Sequence, residues 1–132
     1  MKISATVKNK LDKNEVLVET DANFKSISIP SKATGYGSSV NGAELLLLAL
    51  ATCFCNDLYR EADKKGIAIA GVEVKVTGDF DAEGRAGSNI QYKVVVNSDA
   101  DAQEIEELIK RTDKVAEIQN TLRKGVDITL LS

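Results

Sequence analysis

The chain of 132 residues is 43% hydrophobic and 28% charged, which is enough apolar material for one packed core and too much for wholesale disorder. Seventeen basic against twenty acidic side chains give a net charge of -3, without the basic surplus that general nucleic-acid binding requires. There is no histidine, which excludes Ser-His-Asp and Cys-His catalysis and any His-ligated zinc.

The first third reads as β structure. Ile3, Ala5 and Val7 alternate with Ser4, Thr6 and Lys8. Asp12-Lys13-Asn14 supplies turn chemistry, and Val16 and Val18 share a face of the next segment, so a hairpin is predicted. A third strand, Phe24 to Ile29, is closed by Pro30. The Gly- and Ser-rich stretch over 31–42 lacks both the Walker Lys-Ser/Thr ending and Rossmann spacing, so it reads as entry to a helix rather than a phosphate cradle.

That helix is predicted from Ala43 to Lys65, with Ser39 or Asn41 as N-cap and Gly66 beyond its C-terminus. Its first half, AELLLLALATCF, is apolar almost all round, and its second half turns amphipathic. One small domain rarely encloses such a helix, which predicts a second copy packed over it. The apolar run Ala43 to Cys55 is shorter than the ~20 residues of a membrane span. The N-terminus MKISATVKNK has no signal-peptide character. The expectation is one cytoplasmic domain over 1–132, without membrane or nucleic-acid partners and without cofactor or metal.

Strands return with Ile67 and Ile69, then Val72, Val74 and Val76, then Ile90, Tyr92, Val94 and Val96, with DAEGRAGS as a hairpin loop. A helix is predicted from Ser98 or Asp99, another from an N-cap at Thr112 to just before Gly125, and a last strand over Val126 to Leu131. The class is α+β.

Cys53 and Cys55 are the only nucleophile candidates of note. Two apart on a helix, their side chains diverge by about 200°, so no disulfide joins them without unwinding it. Two diverging thiols without imidazole are too few ligands for a metal. Periodicity alone reads both as small buried hydrophobes. Asp57, at i+4 from Cys53, disfavours a thiolate; Arg60, at i+7, offsets it in part, and Lys32 is the loop's only cation.

Asn41, Glu44-Leu45-Leu46 and Leu50-Ala51-Thr52-Cys53-Phe54 match the N-P-x-E-L-L…A-x-C-F helix of the osmotically inducible protein C-like family, which includes organic hydroperoxide resistance proteins. The resemblance continues through Val72-Glu73-Val74, Gly78-Asp79 and the tail Leu122 to Leu130. It implies an intertwined homodimer with two long central helices and an active site at the interface. There a cysteine matched by Cys53 attacks a hydroperoxide, a second cysteine resolves the sulfenic acid, and an arginine and a glutamate polarise the first. This chain has Ala116 near the second cysteine's place, with Glu117 where a proline is usual. Ala43 holds the glutamate's place, with Glu44 one step on, and no arginine precedes Arg60. The expectation is therefore reduction of organic hydroperoxides through Cys53 with an external thiol, supported by Cys55, Glu44, Lys32 and Arg60. The alternatives are a non-catalytic dimer holding an apolar small molecule in an interface pocket lined by Tyr36, Leu46, Leu50 and Phe54, and a purely structural or regulatory dimer.

Overall fold

The computed structural model describes all residues, 1–132, and is α+β. The chain forms two compact units, Met1–Leu45 and Leu46–Ser132.

The first unit is a three-stranded antiparallel sheet of β1 (Ile3–Lys10), β2 (Lys13–Thr20) and β3 (Asn23–Ile27) in that order. The register pairs Ile3 with Thr20 and Lys10 with Lys13. Asp21 (φ 47°) and Ala22 (φ 75°) make the β2–β3 turn with both central residues left-handed, the arrangement whose twist matches the strands. β3 ends two residues short of the expected Ile29, because the chain there turns into the Gly-rich loop. That loop folds onto the hairpin end: Asn9 clamps Gly37 through its side-chain amide, giving and receiving bonds of 3.1 and 2.9 Å, and Asn14 Nδ2 donates to Ile29 O at 2.9 Å. Gly35 (φ 90°) lies so close to the hairpin that a Cβ there would stand 2.6 Å from Leu11 Cδ1. The N–H groups of Lys32, Gly35 and Gly37 are all used within this unit, consistent with a structural loop rather than an anion cradle.

Helix α1 (Gly42–Lys65) begins with a capping box: Asn41 Oδ1 accepts from Glu44 N at 2.8 Å, and Glu44 Oε1 accepts from Asn41 N at 3.0 Å. Asn41, not Ser39, is the cap. The helix closes with Gly66 N–H bonded to Asp63 O and Ile67 N–H to Ala62 O, which ties up its last carbonyls. At 24 residues α1 is long and apolar enough to cross a membrane by length and composition, a reach that the run Ala43 to Cys55 alone did not show. Phe54, Leu58 and Ala62 nevertheless lie in a protein core.

In the second unit, β4 (Gly71–Asp79) and β5 (Ser88–Asn97) pair antiparallel, Val72 facing Val96, Val74 facing Val94 and Val76 facing Tyr92. This alternation turns one apolar face onto the core of Phe54, Leu58, Ala62 and Leu108. The Phe54 and Tyr92 rings meet tilted, centroids 5.1 Å apart. Ile67 and Ile69 pack on this core as irregular chain; the strand starts only at Gly71. α2 (Ala102–Val115) starts later than expected, capped by Asp101, whose side chain accepts from Gln103 N at 2.9 Å. It also runs past Thr112. That residue is buried mid-helix with its hydroxyl donating to Leu108 O at 2.7 Å, so it caps nothing. The break comes at Ala116, whose extended backbone (ψ 112°) sets the start of α3 (Glu117–Lys124); Gly125 ends that helix with φ 71°. Residues 126–132 form no strand, and Ile128 and Leu130 are both 96% exposed. The alternation over Val126 to Leu131 is real, but no neighbouring strand pairs with it in the single chain.

Candidate functional site

Cys53 lies nearly three turns into α1 and is half-buried. Its thiol donates to Asp57 Oδ2 at 3.4 Å, one helical turn on, where i,i+4 spacing stacks the two side chains. A second carboxylate comes from α3: Glu117 Oε2 is 3.8 Å from Sγ. The α2–α3 break at Ala116 is what aims α3's first turn at Cys53. The Ile118 main-chain N–H also points at the sulfur.

Burial is the main cause that raises the Cys53 thiol above its ordinary pKa. The Ile118 N–H opposes it, and Asp57 and Glu117 reinforce it. The resting group is thus a protonated thiol held as a donor. Asp57 is itself pushed up, first by burial and then by the adjoining Glu117 carboxylate; Glu117 moves down, bonded by its own main-chain N–H and by Asp57. Arg60 bridges the acids, NH1 standing 3.0 Å from Asp57 Oδ1 and 3.4 Å from Glu117 Oε1. Its Nε reaches Glu61 Oε2 at 3.2 Å. Glu61 is buried, and Lys64 and Arg111 also bond it at 3.0 and 3.3 Å. Lys64 first, then Arg60 and Arg111, hold its carboxyl down at about 2 against the opposing effect of burial.

Of the residues singled out by sequence, Cys53 and Arg60 share one cluster through Asp57 and Glu117. Cys55 is turned away and borders a shallow hollow of about 250 Å³ with Ala51, Thr52, Asn56 and Val74. Glu44 serves the capping box with Asn41. Lys32 lies over Gly37 within the first unit, and Tyr36 is exposed in the same loop. Leu50 and Phe54 are buried; Gln119 Nε2 donates to Leu50 O at 3.0 Å, and Phe54 fills the core against Tyr92. Leu46 is half-buried on α1. Glu117 is the site residue that periodicity missed; its signal was its place in the tail, beside the position matched to a second cysteine.

The chain's fold is similar to that of several solved proteins. An OsmC-like protein from Mycoplasma pneumoniae superposes with a TM-score of 0.63 at 22% identity, covering 91% of this chain and 87% of its own. The organic hydroperoxide resistance protein OhrB of Bacillus subtilis gives 0.58 at 22%, covering 96% and 94%. A hypothetical protein from Aquifex aeolicus gives 0.66 at 18%, covering 96% and 92%. At these identities the likeness is one of fold. No curated protein matches the chain in sequence. The model of the family described as OsmC-like protein matches residues 35–131, a span that takes in α1 with Cys53, the β4–β5 pair and the α3 turn that carries Glu117. With nearly three-quarters of its length matched, and with the α+β architecture of those solved relatives, the chain belongs to the OsmC-like protein family.

Proposed function

We propose that this protein is a cytoplasmic, homodimeric thiol redox protein in which Cys53 reduces organic hydroperoxides and an external thiol restores it. The observation that carries the reading is the Cys53 thiol donating to buried Asp57 while a main-chain N–H faces the same sulfur. Family membership and the fold likeness to OhrB support it. Asp57 supplies the base that a thiol of raised pKa needs, and the Ile118 N–H steadies negative charge developing on Sγ.

The step balances as follows. Sγ attacks the outer peroxide oxygen, the S–O bond forms and the O–O bond breaks. The thiol proton passes to Asp57 and on to the departing alkoxide, which leaves as alcohol. Cys53 is then a sulfenic acid. One external thiol condenses with it, releasing water and forming a mixed disulfide. A second external thiol displaces Cys53 and carries away the disulfide. Cys55 cannot resolve the sulfenic acid, because it projects from another side of the same helix.

The test is stopped-flow consumption of cumene hydroperoxide in the presence of a chelator, with mass spectrometry of the trapped sulfenic acid. Consumption that Cys53→Ala abolishes and Cys55→Ser retains is the expected result. Equal consumption in wild type and Cys53→Ala ends the proposal.

A further inference from the structure

We propose that Gln119 is a positioning residue for the Cys53 site: its buried amide pins the first turn of α3 to α1, setting the Ile118 N–H and the Glu117 carboxylate against the sulfur. The inference rests on the redox reading only for its effect on turnover; the arrangement itself belongs to the resting thiol.

The need for a pin follows from α3. It has eight residues, too few to hold a helical position unaided. Its N-cap, Ala116, makes no side-chain cap bond, so the first-turn N–H groups are not satisfied locally. That leaves the Ile118 N–H free to face the Cys53 sulfur. Asn120 Nδ2, 2.9 Å from Lys114 O, and Arg123 NH2, 2.7 Å from Asp113 Oδ1, fasten α3 to α2. Neither bond sets its distance from α1.

Two polar contacts beside the sulfur do so. Arg60 NH1 stands 3.4 Å from Glu117 Oε1, but these side chains are 42% and 64% exposed, and an exposed ion pair constrains little. Gln119 Nε2 donates to Leu50 O at 3.0 Å, and Gln119 is only 3% exposed. A helical carbonyl meets the N–H four residues on, so Leu50 O stands at the level of Cys53 and Phe54. The pin is thus set within one turn of the sulfur it serves.

A cost at the other end of the amide separates position from stability. Leu50 O can only accept, so the contacting atom is the NH2 group and Oε1 is the atom left over. Oε1 is buried without a hydrogen-bond partner, a cost that an apolar side chain of similar length avoids. The amide therefore adds little net stability. What it adds is one directional bond, which fixes α3 along α1 and with it Glu117, two residues back in the same turn.

The experiment labels Cys53 with iodoacetamide across pH, without peroxide, in a Cys55→Ser background. Glu117→Gln removes a charge that raises the thiol pKa, so labelling at neutral pH becomes about threefold faster. Gln119→Leu removes the pin, and Glu117→Gln added to it then leaves labelling unmoved, while the urea midpoint of Gln119→Leu stays near that of wild type. A Glu117→Gln effect of equal size in both backgrounds overturns the proposal, as does no effect in the intact background. A midpoint well below wild type also overturns it, since the amide would then hold the fold rather than the site. Should Gln119→Leu not fold, Gln119→Met, unbranched and of similar length, takes its place. In wild-type protein the pin is read directly by NMR: the Gln119 side-chain N–H exchanges with solvent about tenfold more slowly, or slower still, than that of exposed Gln103. Equal exchange rates overturn the proposal. Protein that consumes no peroxide ends the redox reading and leaves these labelling and exchange outcomes as they stand; where peroxide is consumed, Gln119→Leu lowers the rate about tenfold.

Discussion

The Cys53 thiol is hydrogen-bonded to the Asp57 carboxylate one turn along the same helix, so the proposed nucleophile and its proposed proton acceptor are fixed by a single i,i+4 relationship. This contact has opposing effects on acidity and on turnover. Asp57 raises the thiol pKa through its hydrogen bond and its charge, while burial contributes more. Asp57→Asn therefore makes Cys53 more acidic, and iodoacetamide labelling at neutral pH becomes several-fold faster in a Cys55→Ser background. Peroxide consumption moves the other way, by about a hundredfold, because the proton acceptor is gone. Labelling and turnover rising together would show that Asp57 only suppresses the thiol.

Glu61 gives a pH dependence of stability with a definite sign. Its folded pKa is depressed to about 2 from an ordinary value of 4.5, by Lys64 first and then by Arg60 and Arg111. A depressed carboxylate contributes stability that is fully present above the ordinary value and is lost as pH falls toward the folded one. Urea midpoints of the wild type should fall between about pH 5 and pH 2. In Glu61→Gln the midpoint is lower at pH 7 and flatter across that window. An unchanged slope would mean that these three cations do not hold Glu61 in solution.

How much of this was legible in the sequence depends on how far apart the interacting residues lie. Val72, Val74 and Val76 announce a strand by period two, and Asn41 with Glu44 announces a helix start by the spacing of a capping box. Asp57 could be placed beside Cys53 because one helical turn separates them. Glu117 could not, being 64 residues away; only the tail's resemblance to a family set it near a second cysteine's place. Thr112 misled because the same hydroxyl that caps a helix can instead bond back to the carbonyl four residues earlier. Ile67 and Ile69 alternate like a strand yet only fill the core, and Val126 to Leu131 alternate without a partner. Apolar period reports which side chains seek burial, whereas a strand also needs a hydrogen-bonding neighbour.

Ala22 carries backbone strain that one substitution relieves. Its φ of 75° lies in the left-handed region, which costs an L-residue about 1–2 kcal/mol and glycine almost nothing. Glycine's larger unfolded-state entropy returns roughly 0.5–1 kcal/mol of that gain. Ala22→Gly should therefore stabilise the fold by up to about 1 kcal/mol, seen as a higher urea midpoint at unchanged slope. A lower midpoint would mean the turn adopts another geometry in solution.

The dimer proposed with the redox function rests on apolar surface that the single chain leaves uncovered. Leu48, 58% exposed, is in the most apolar part of α1, with Leu45 and Tyr59 also exposed along the helix, and Ile128 and Leu130 are open in the tail. In a two-fold interface each leucine is buried twice, at roughly 1.5–3 kcal/mol per side chain. A charge in its place raises the dissociation constant by about two orders of magnitude or more. Leu48→Glu should sediment as a monomer at micromolar concentration where the wild type sediments as a dimer, with near-native circular dichroism if each chain folds alone. Should Leu48→Glu unfold, Leu130→Asp supplies a second probe from the tail, which carries no helix to disrupt. Wild-type protein sedimenting as a stable monomer at the same concentration would remove the dimer from the proposal while leaving the Cys53–Asp57 contact, which lies within one helix, intact.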